Sequence, residues 1–326
     1  MFLIFTFLRH ISKIEKRDIN TYTHVRTYTH TYIHAHTHTY KHTYTHTHTH
    51  TYIHTHTHIH TYTHTYIHTC MHYFVQESIN EGQYVVVIRL DVKGAFDAAW
   101  WPGILTYLKN LRCPRNLHKV RVSYFNERAA YVTLNNGTVQ RKVSKVCPQG
   151  SASGPGFWNL QYNSLLNLEY TKNTKVIAYA DDLMIIVKGT TQVEVENYAN
   201  METQKVAKWA RNNKVNFNDQ KLKIMVITRN KPKNRRDFNI FLNNKNLKQE
   251  DTIKYLGIII DRRFNFNEHI DNIAGKCIKI IHALSKSSKI KWRQRHDVLR
   301  IIYAGAILPI LSHGAPIWIE MLEPKT

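Results

Sequence analysis

Two acidic stretches decide the reading of this chain: Leu-Asp-Val-Lys-Gly-Ala-Phe-Asp at residues 90–97 and Ala-Tyr-Ala-Asp-Asp-Leu at residues 178–183. Both lie at the end of an apolar run, so Asp91 and the pair Asp181-Asp182 fall where strands should stop. Between them is CPQGSASGPG, residues 147–156, a Gly-rich turn that carries Gln149. Carboxylates gathered at strand ends suit a hard divalent cation such as magnesium, which takes oxygen ligands, often one or two carboxylates plus substrate phosphates. Two such ions clamp the attacking and leaving oxygens of a phosphoryl transfer. The order and spacing point to nucleotidyl-transfer chemistry.

Outward from these motifs, the β-branched run Tyr84–Leu90 predicts a buried strand ending at Asp91. Pro102 suits the first turn of a helix reaching about Leu111. Asn135-Asn136-Gly137, between Ala129–Leu134 and Thr138–Val143, is a hairpin signal. Helical spacing follows over Phe157–Tyr170, and Ser151 and Ser153 are candidate caps. Lys175–Tyr179 and Leu183–Val187 read as strands joined by a short acidic turn, with Asp181 and Asp182 at its tip. Glu194–Arg211 reads as an amphipathic helix and Leu222–Thr228 as a strand. Lys231–Asp237 reads as a charged loop, and Ile253–Asp261 as strand-like. Helices are expected at 269–286, 293–304 and 307–320. The layout is an α+β unit followed by a small helical one.

Residues 21–69 alternate Thr, His, Tyr and Ile, with 16 histidines between His24 and His72. Such a tract has no separable apolar face to offset its chain entropy, which predicts disorder. His-Thr repeated is what a CA dinucleotide repeat encodes, and Tyr and Ile codons lie one C-to-T change away. His-rich tracts also bind metal. The opening MFLIFTFL precedes its basic residue and lacks a small-residue cleavage site, so it does not fit a secretory signal. It is also too short to span a bilayer, and no membrane partner is expected. Of the formal net charge of +22, residues 1–72 carry +4 and residues 73–326 carry +18, which favours a polyanion partner. The four cysteines are scattered without a C-x-x-C pair, which argues for a reducing compartment and against a zinc module.

LDVKGAFD, CPQGSASGPG, AYADDL, NFNDQKLKI (216–224) and IKYLGIIID (253–261) together resemble the ordered palm motifs of reverse transcriptases, in the flavour of non-LTR (LINE-type) retrotransposons. The segment IIYAGAILPILSHGAPIW (301–318) resembles the stretch after the palm in those elements. The resemblance implies a polymerase palm, an antiparallel sheet with packed helices, and a partial helical thumb. It divides the chain into a disordered low-complexity segment (1–72), a palm (73–265) and a thumb-like segment (266–326).

The same resemblance implies that Asp91 and Asp181 ligate two magnesium ions, with Asp182 as third acidic member and the Val92 carbonyl helping to hold the nucleotide-side ion. Phe96 falls at the sugar gate against the ribose 2′-position; the alternative is core packing beneath the sheet. Asp97 would instead accept a 2′-hydroxyl in an RNA-dependent RNA polymerase. Gln149 and Gly150 would contact the incoming nucleotide and template, and Tyr179 would support the primer end. Lys221 would protonate the leaving pyrophosphate, with Lys223 a nearby alternative. Trp100 and Trp101 are expected to pack, and the basic residues of 276–300 to grip the duplex backbone. Partners would be an RNA template, a DNA primer and deoxynucleoside triphosphates, and analogy with elements that copy at the chromosome implies a nuclear site.

Upstream of Tyr73 the sequence shows the repeat where the family has its fingers. Loss of that clamp on the triphosphate and template costs orientation worth roughly 7 kcal/mol or more. The alternatives to an RNA-directed DNA polymerase are therefore a truncated, catalytically inactive nucleic-acid-binding remnant and a metal-sequestering His-rich protein.

Overall fold

A computed structural model of the chain describes residues 64, 66–134, 137–148, 150–151, 153–228, 237–289 and 296–319. They fall into two compact units, one spanning residues 74–253 and the other formed by residues before 74 and after 253. In chain order the elements are α1 (66–80), β1 (Tyr84–Asp91), α2 (Trp101–Asn110), α3 (Arg115–Phe125), β2 (Ala129–Leu134), β3 (Gly137–Lys142), α4 (Gly154–Leu166), β4 (Thr174–Tyr179), β5 (Asp182–Gly189), α5 (Gln192–Asn212), β6 (Lys223–Ile227), β7 (Phe241–Leu242), β8 (Lys245–Asn246) and β9 (Lys248–Gln249). They continue as β10 (Thr252–Tyr255), β11 (Ile258–Asp261), α6 (Asn267–Lys289), α7 (His296–Ile302), a π-helical turn (Tyr303–Ile307), α8 (Leu308–Ser312) and α9 (Ala315–Trp318). The expected α+β class is what the structure has.

The unit of residues 74–253 is built on a five-stranded sheet in the order β4-β5-β1-β6-β9. β1 lies at its centre, antiparallel to β5 and β6, because its run of Val and Ile is buried on both faces. One face carries Val86, Ile88, Leu90, Leu183, Ile185 and Val187 into a core with Trp158, Leu165, Val195 and Val206 of α4 and α5. Each such side chain, fully buried, contributes about 1.5–3 kcal/mol. The other face buries Val85, Val87, Met184, Ile186, Met225 and Ile227. At its far end Lys188 lies 5.4 Å over the Phe74 ring and 3.5 Å from Glu81, so the second half of α1 lies beside the strand end remote from the carboxylates.

In the second unit β10 and β11 form a hairpin through Leu256 and Gly257, both at positive φ. The apolar run expected as strand-like is thus two strands, and Tyr255, Ile258 and Ile260 are fully buried. The sequence divisions at 72/73 and 265/266 stand beside unit divisions at 73/74 and 253/254. Most of the segment expected to be disordered lies outside the described residues, but 66–72 form the first turns of α1, with His68 and Met71 fully buried. Here the repeat places His64, His68 and His72 four residues apart, on one helical face. The loop expected at 231–237 lies outside the described residues except Asp237. α3 was not foreseen, and α4 begins at Gly154 rather than Phe157 and ends at Leu166. Among the described residues no helix is long and apolar enough to cross a membrane.

Candidate active site

Strand register builds the site. Asp91 is paired with Asp182, and Asp182 with Tyr179, so the three side chains form a row on one face across β1, β5 and β4. Two residues, Ala180 and Asp181, close the β4–β5 hairpin. Ala180 takes φ +53°, a left-handed backbone that costs an L-residue roughly 1–2 kcal/mol. Its carbonyl accepts a 2.9 Å bond from the Trp158 indole of α4, which holds the turn from below. The Val92 amide donates to the Asp181 carbonyl at 3.0 Å, which ties the hairpin tip to the end of β1. The structure therefore brings Asp91, Val92, Tyr179, Asp181 and Asp182 together.

Asp91 is only 4 % exposed. A buried carboxylate needs a compensating charge, and the Lys221 ammonium supplies it at 2.9 Å. Lys221 reaches there because Val92 and Phe217 form a bridge, and Asn218 donates its amide to the Asp91 carbonyl at 2.8 Å. The hydrogen bond it donates to Asp91, and the charge of that carboxylate, hold the Lys221 ammonium above the usual lysine range. Lys223, the sequence alternative, lies 3.6 Å from Glu250.

Asp182 accepts from the Arg89 Nη2 and Nε at 2.9 and 3.2 Å. Sequence reading missed Arg89, although its signal was present: a lone cation in an apolar strand, two residues before Asp91 and so on the same face. Asp181 stands at the exposed tip with its carboxyl pushed up, first by partial desolvation and then by the charges of Asp182 and Asp91, while Lys221 acts the other way. Burial also raises the Tyr179 hydroxyl. Among the described residues, no three His, Cys, Asp or Glu side chains converge as a ready-made metal cage. The donor set still fits magnesium, because it is all oxygen and because two carboxylates suffice when substrate phosphates and water complete the sphere.

Phe96 opens a short 3-10 turn, Phe96–Ala98, and is half-buried against the core. Its carbonyl accepts from the Cys147 amide at 2.7 Å. Val146 is held at φ +113°, donating to Ala99 and accepting from the Trp101 indole. These bonds fix the start of the CPQG turn beside Phe96. Gly150 sits in this turn at φ +81°, which favours glycine; Gln149 lies outside the described residues. Ser151 accepts from the Gly154 amide at 3.0 Å and so helps cap α4; Ser153 makes no such side-chain bond.

Trp101 packs as expected, buried and stacked on Phe125 at 5.2 Å. Gln161 was not foreseen: buried in α4, it accepts from the Trp100 amide at 2.8 Å and donates to the Asn213 carbonyl at 3.0 Å. It braces the segment after Asp91 against the end of α5. Of the expected basic grip, residues 290–295 lie outside the described residues; Lys276, Lys279 and Lys286 are on α6.

Residues 10–260 match the family described as reverse transcriptase (RNA-dependent DNA polymerase). Among curated proteins, the chain is 28 % identical over 244 residues to a Pol polyprotein from the type-1 retrotransposable element R1 of Bradysia coprophila, covering 75 % of this chain and 24 % of that one. It is 30 % identical over 241 residues to a putative 115 kDa protein in the R1DM element of Drosophila melanogaster, covering 74 % and 23 %. It is 28 % identical over 275 residues to the RNA-directed DNA polymerase from the mobile element jockey of D. melanogaster, covering 78 % and 29 %. The chain thus spans about a quarter of the length of these relatives. Among solved structures, a telomerase from Candida tropicalis in complex with a TWJ fragment of telomeric RNA aligns at 11 % identity and a TM-score of 0.43, over 78 % of this chain and 48 % of that one.

Proposed function

This chain belongs to the reverse transcriptase (RNA-dependent DNA polymerase) family, with relatives among non-LTR retrotransposon polymerases, and from that premise we propose that it adds deoxynucleotides to a DNA primer 3′-end on an RNA template. The observation that carries the reading is the row of Asp91 and Asp182 beside Asp181, with Lys221 on Asp91. Two magnesium ions fit Asp91 and Asp181 and would activate the primer hydroxyl and offset the charge of the triphosphate. The protein residues do the rest. Asp91 is held in place by its backbone bond to Asn218, and Asp181 by the strained turn that Trp158 anchors. Arg89 restrains Asp182 as Lys221 restrains Asp91.

Lys221 carries a proton throughout the neutral range and would give it to the departing pyrophosphate. Phe96, half-buried beside the CPQG turn, would meet the sugar of a nucleotide seated over Asp91, and Gly150 would permit close backbone approach there. Tyr179, in the row with Asp182, would support the primer end.

Extension of a DNA primer on an RNA template with magnesium, lost in Asp91→Asn, is the expected result. Salt-sensitive binding of the primer–template without extension would instead establish the inactive remnant.

A further inference from the structure

Arg89 is a lone cation in the apolar run of β1, and the pleat puts it on the same face as Asp91, two residues on. In register it lies opposite Met184 of β5 and Lys223 of β6, so its reach to Asp182 is diagonal, from β1 to β5. Lys223 is occupied with Glu250 at 3.6 Å. Arg89 gives Asp182 two bonds, from Nη2 at 2.9 Å and from Nε at 3.2 Å, and both end on one oxygen, Oδ1. Each of the two side chains is 20 % exposed.

Lys221 is paired with Asp91 more loosely. It makes one bond to Asp91 Oδ1, and its side chain is 53 % exposed. A flexible ammonium half in water yields to an incoming ion at little cost. A guanidinium stays charged at any working pH, and Arg89 must break two charge-assisted bonds to release Asp182. Among the described residues the acids do not converge as a cage, and Asp182 is the one held by a fixed cation.

We propose that Arg89 sets the ion selectivity of this site: by competing for Asp182 it limits the carboxylates within reach of a divalent cation, which favours magnesium over calcium. Calcium takes roughly six to eight oxygens in flexible geometry and gains from each added carboxylate. Magnesium keeps much of its water and needs only one or two carboxylates beside substrate phosphates. The carboxylates left to an ion are Asp91, once Lys221 yields, and Asp181 at the exposed tip. The inference rests on the polymerase reading in that a metal is then used at these carboxylates.

The test is calorimetric titration of the full chain with magnesium and with calcium, without nucleotide or primer. The proteins are the wild type, Arg89→Gln, Asp182→Asn and the double variant. These hard ions prefer oxygen to the imidazoles of the repeat. Arg89→Gln should tighten calcium binding about tenfold and magnesium binding no more than about threefold, because a positive charge is lost and a carboxylate is freed. Asp182→Asn alone should leave both affinities within about twofold, and in the double variant the calcium gain should vanish. A purely structural role for Arg89 would lower the melting temperature without moving the ratio of calcium to magnesium affinity. Equal or absent gains in Arg89→Gln would overturn the assignment. So would a marked loss of affinity in Asp182→Asn, a result that needs no Arg89 variant to fold. The two readings fail separately. Primer extension by a chain whose ion affinities ignore Arg89 sinks only the selectivity; Arg89-dependent selectivity in a chain that extends nothing sinks only the polymerase.

Discussion

The Lys221 ammonium lies 2.9 Å from the Asp91 carboxylate, across 130 residues of chain, and Asp91 is the most buried of the three site acids. This pairing makes Lys221 both the neutralising partner of Asp91 and a candidate proton donor. Lys221→Ala should lower the rate of nucleotide addition by about 10²–10⁴-fold if it is the general acid. Lys223→Ala, which breaks only the contact with Glu250, should leave the rate within a few-fold. Single-turnover extension with both variants checks this, and equal effects would contradict the assignment.

The turn at Ala180 should be sensitive to shape as well as to charge. Ala180→Val places a β-branched residue at positive φ and should cost roughly 1–2 kcal/mol or more. Trp158→Phe keeps the packing but removes the bond to the Ala180 carbonyl, a loss of about 1 kcal/mol. Both variants should melt lower and extend more slowly, because Asp181 is the next residue. A normal rate in either would show that turn geometry does not position the carboxylate.

Phe96→Ala should raise ribonucleotide incorporation relative to deoxynucleotide. Competition between the two substrates in primer extension measures it. Unchanged selectivity would mean that Phe96 only packs against the core.

The unit formed around residues 254–319 carries a pH dependence of its own. His68 is fully buried and its pKa is lowered to about 3, chiefly by desolvation, with His313, His64 and His269 adding like charge. Burial likewise lowers His269 to about 4. A histidine held neutral in the fold but titrating near 6.5 when unfolded contributes stability that is complete above pH 6.5 and is lost as pH falls below it. At pH 5, His68 alone should account for about 2 kcal/mol of lost stability. Urea unfolding at pH 7.5 and pH 5 should show the loss, and His68→Gln should flatten it. A pH-independent midpoint between these values would contradict the burial of His68.

What was legible in the sequence was whatever a strand encodes locally. Asp91 and Asp181-Asp182 end apolar runs, and the period of two put Arg89 and Asp91 on one face, although that signal went unread. Gln161 was not legible, because nothing in α4 marks which polar residue turns inward to meet Trp100 and Asn213. The tie from Trp158 to Ala180 and the choice of Lys221 over Lys223 depend on where distant segments meet. The helix at 66–72 hid inside a repeat whose alternation reads as featureless, yet places a histidine at every fourth position of one face. The turn at Leu256-Gly257 hid in a run whose apolarity suits one strand as well as two.

The central claim is that Asp181 is held, at a cost, in a cluster of carboxylates for metal-assisted nucleotidyl transfer. Its raised pKa means that the unfolded chain ionises it more easily than the fold does, so ionised Asp181 subtracts stability at neutral pH, a loss relieved as pH falls through the folded pKa. The direct test is Asp181→Asn, measured for melting temperature without metal and for magnesium-dependent primer extension in the same preparation. The account predicts a melting temperature raised by roughly 1–4 °C together with abolished extension. A variant that melts lower, or that still extends primers, would contradict it.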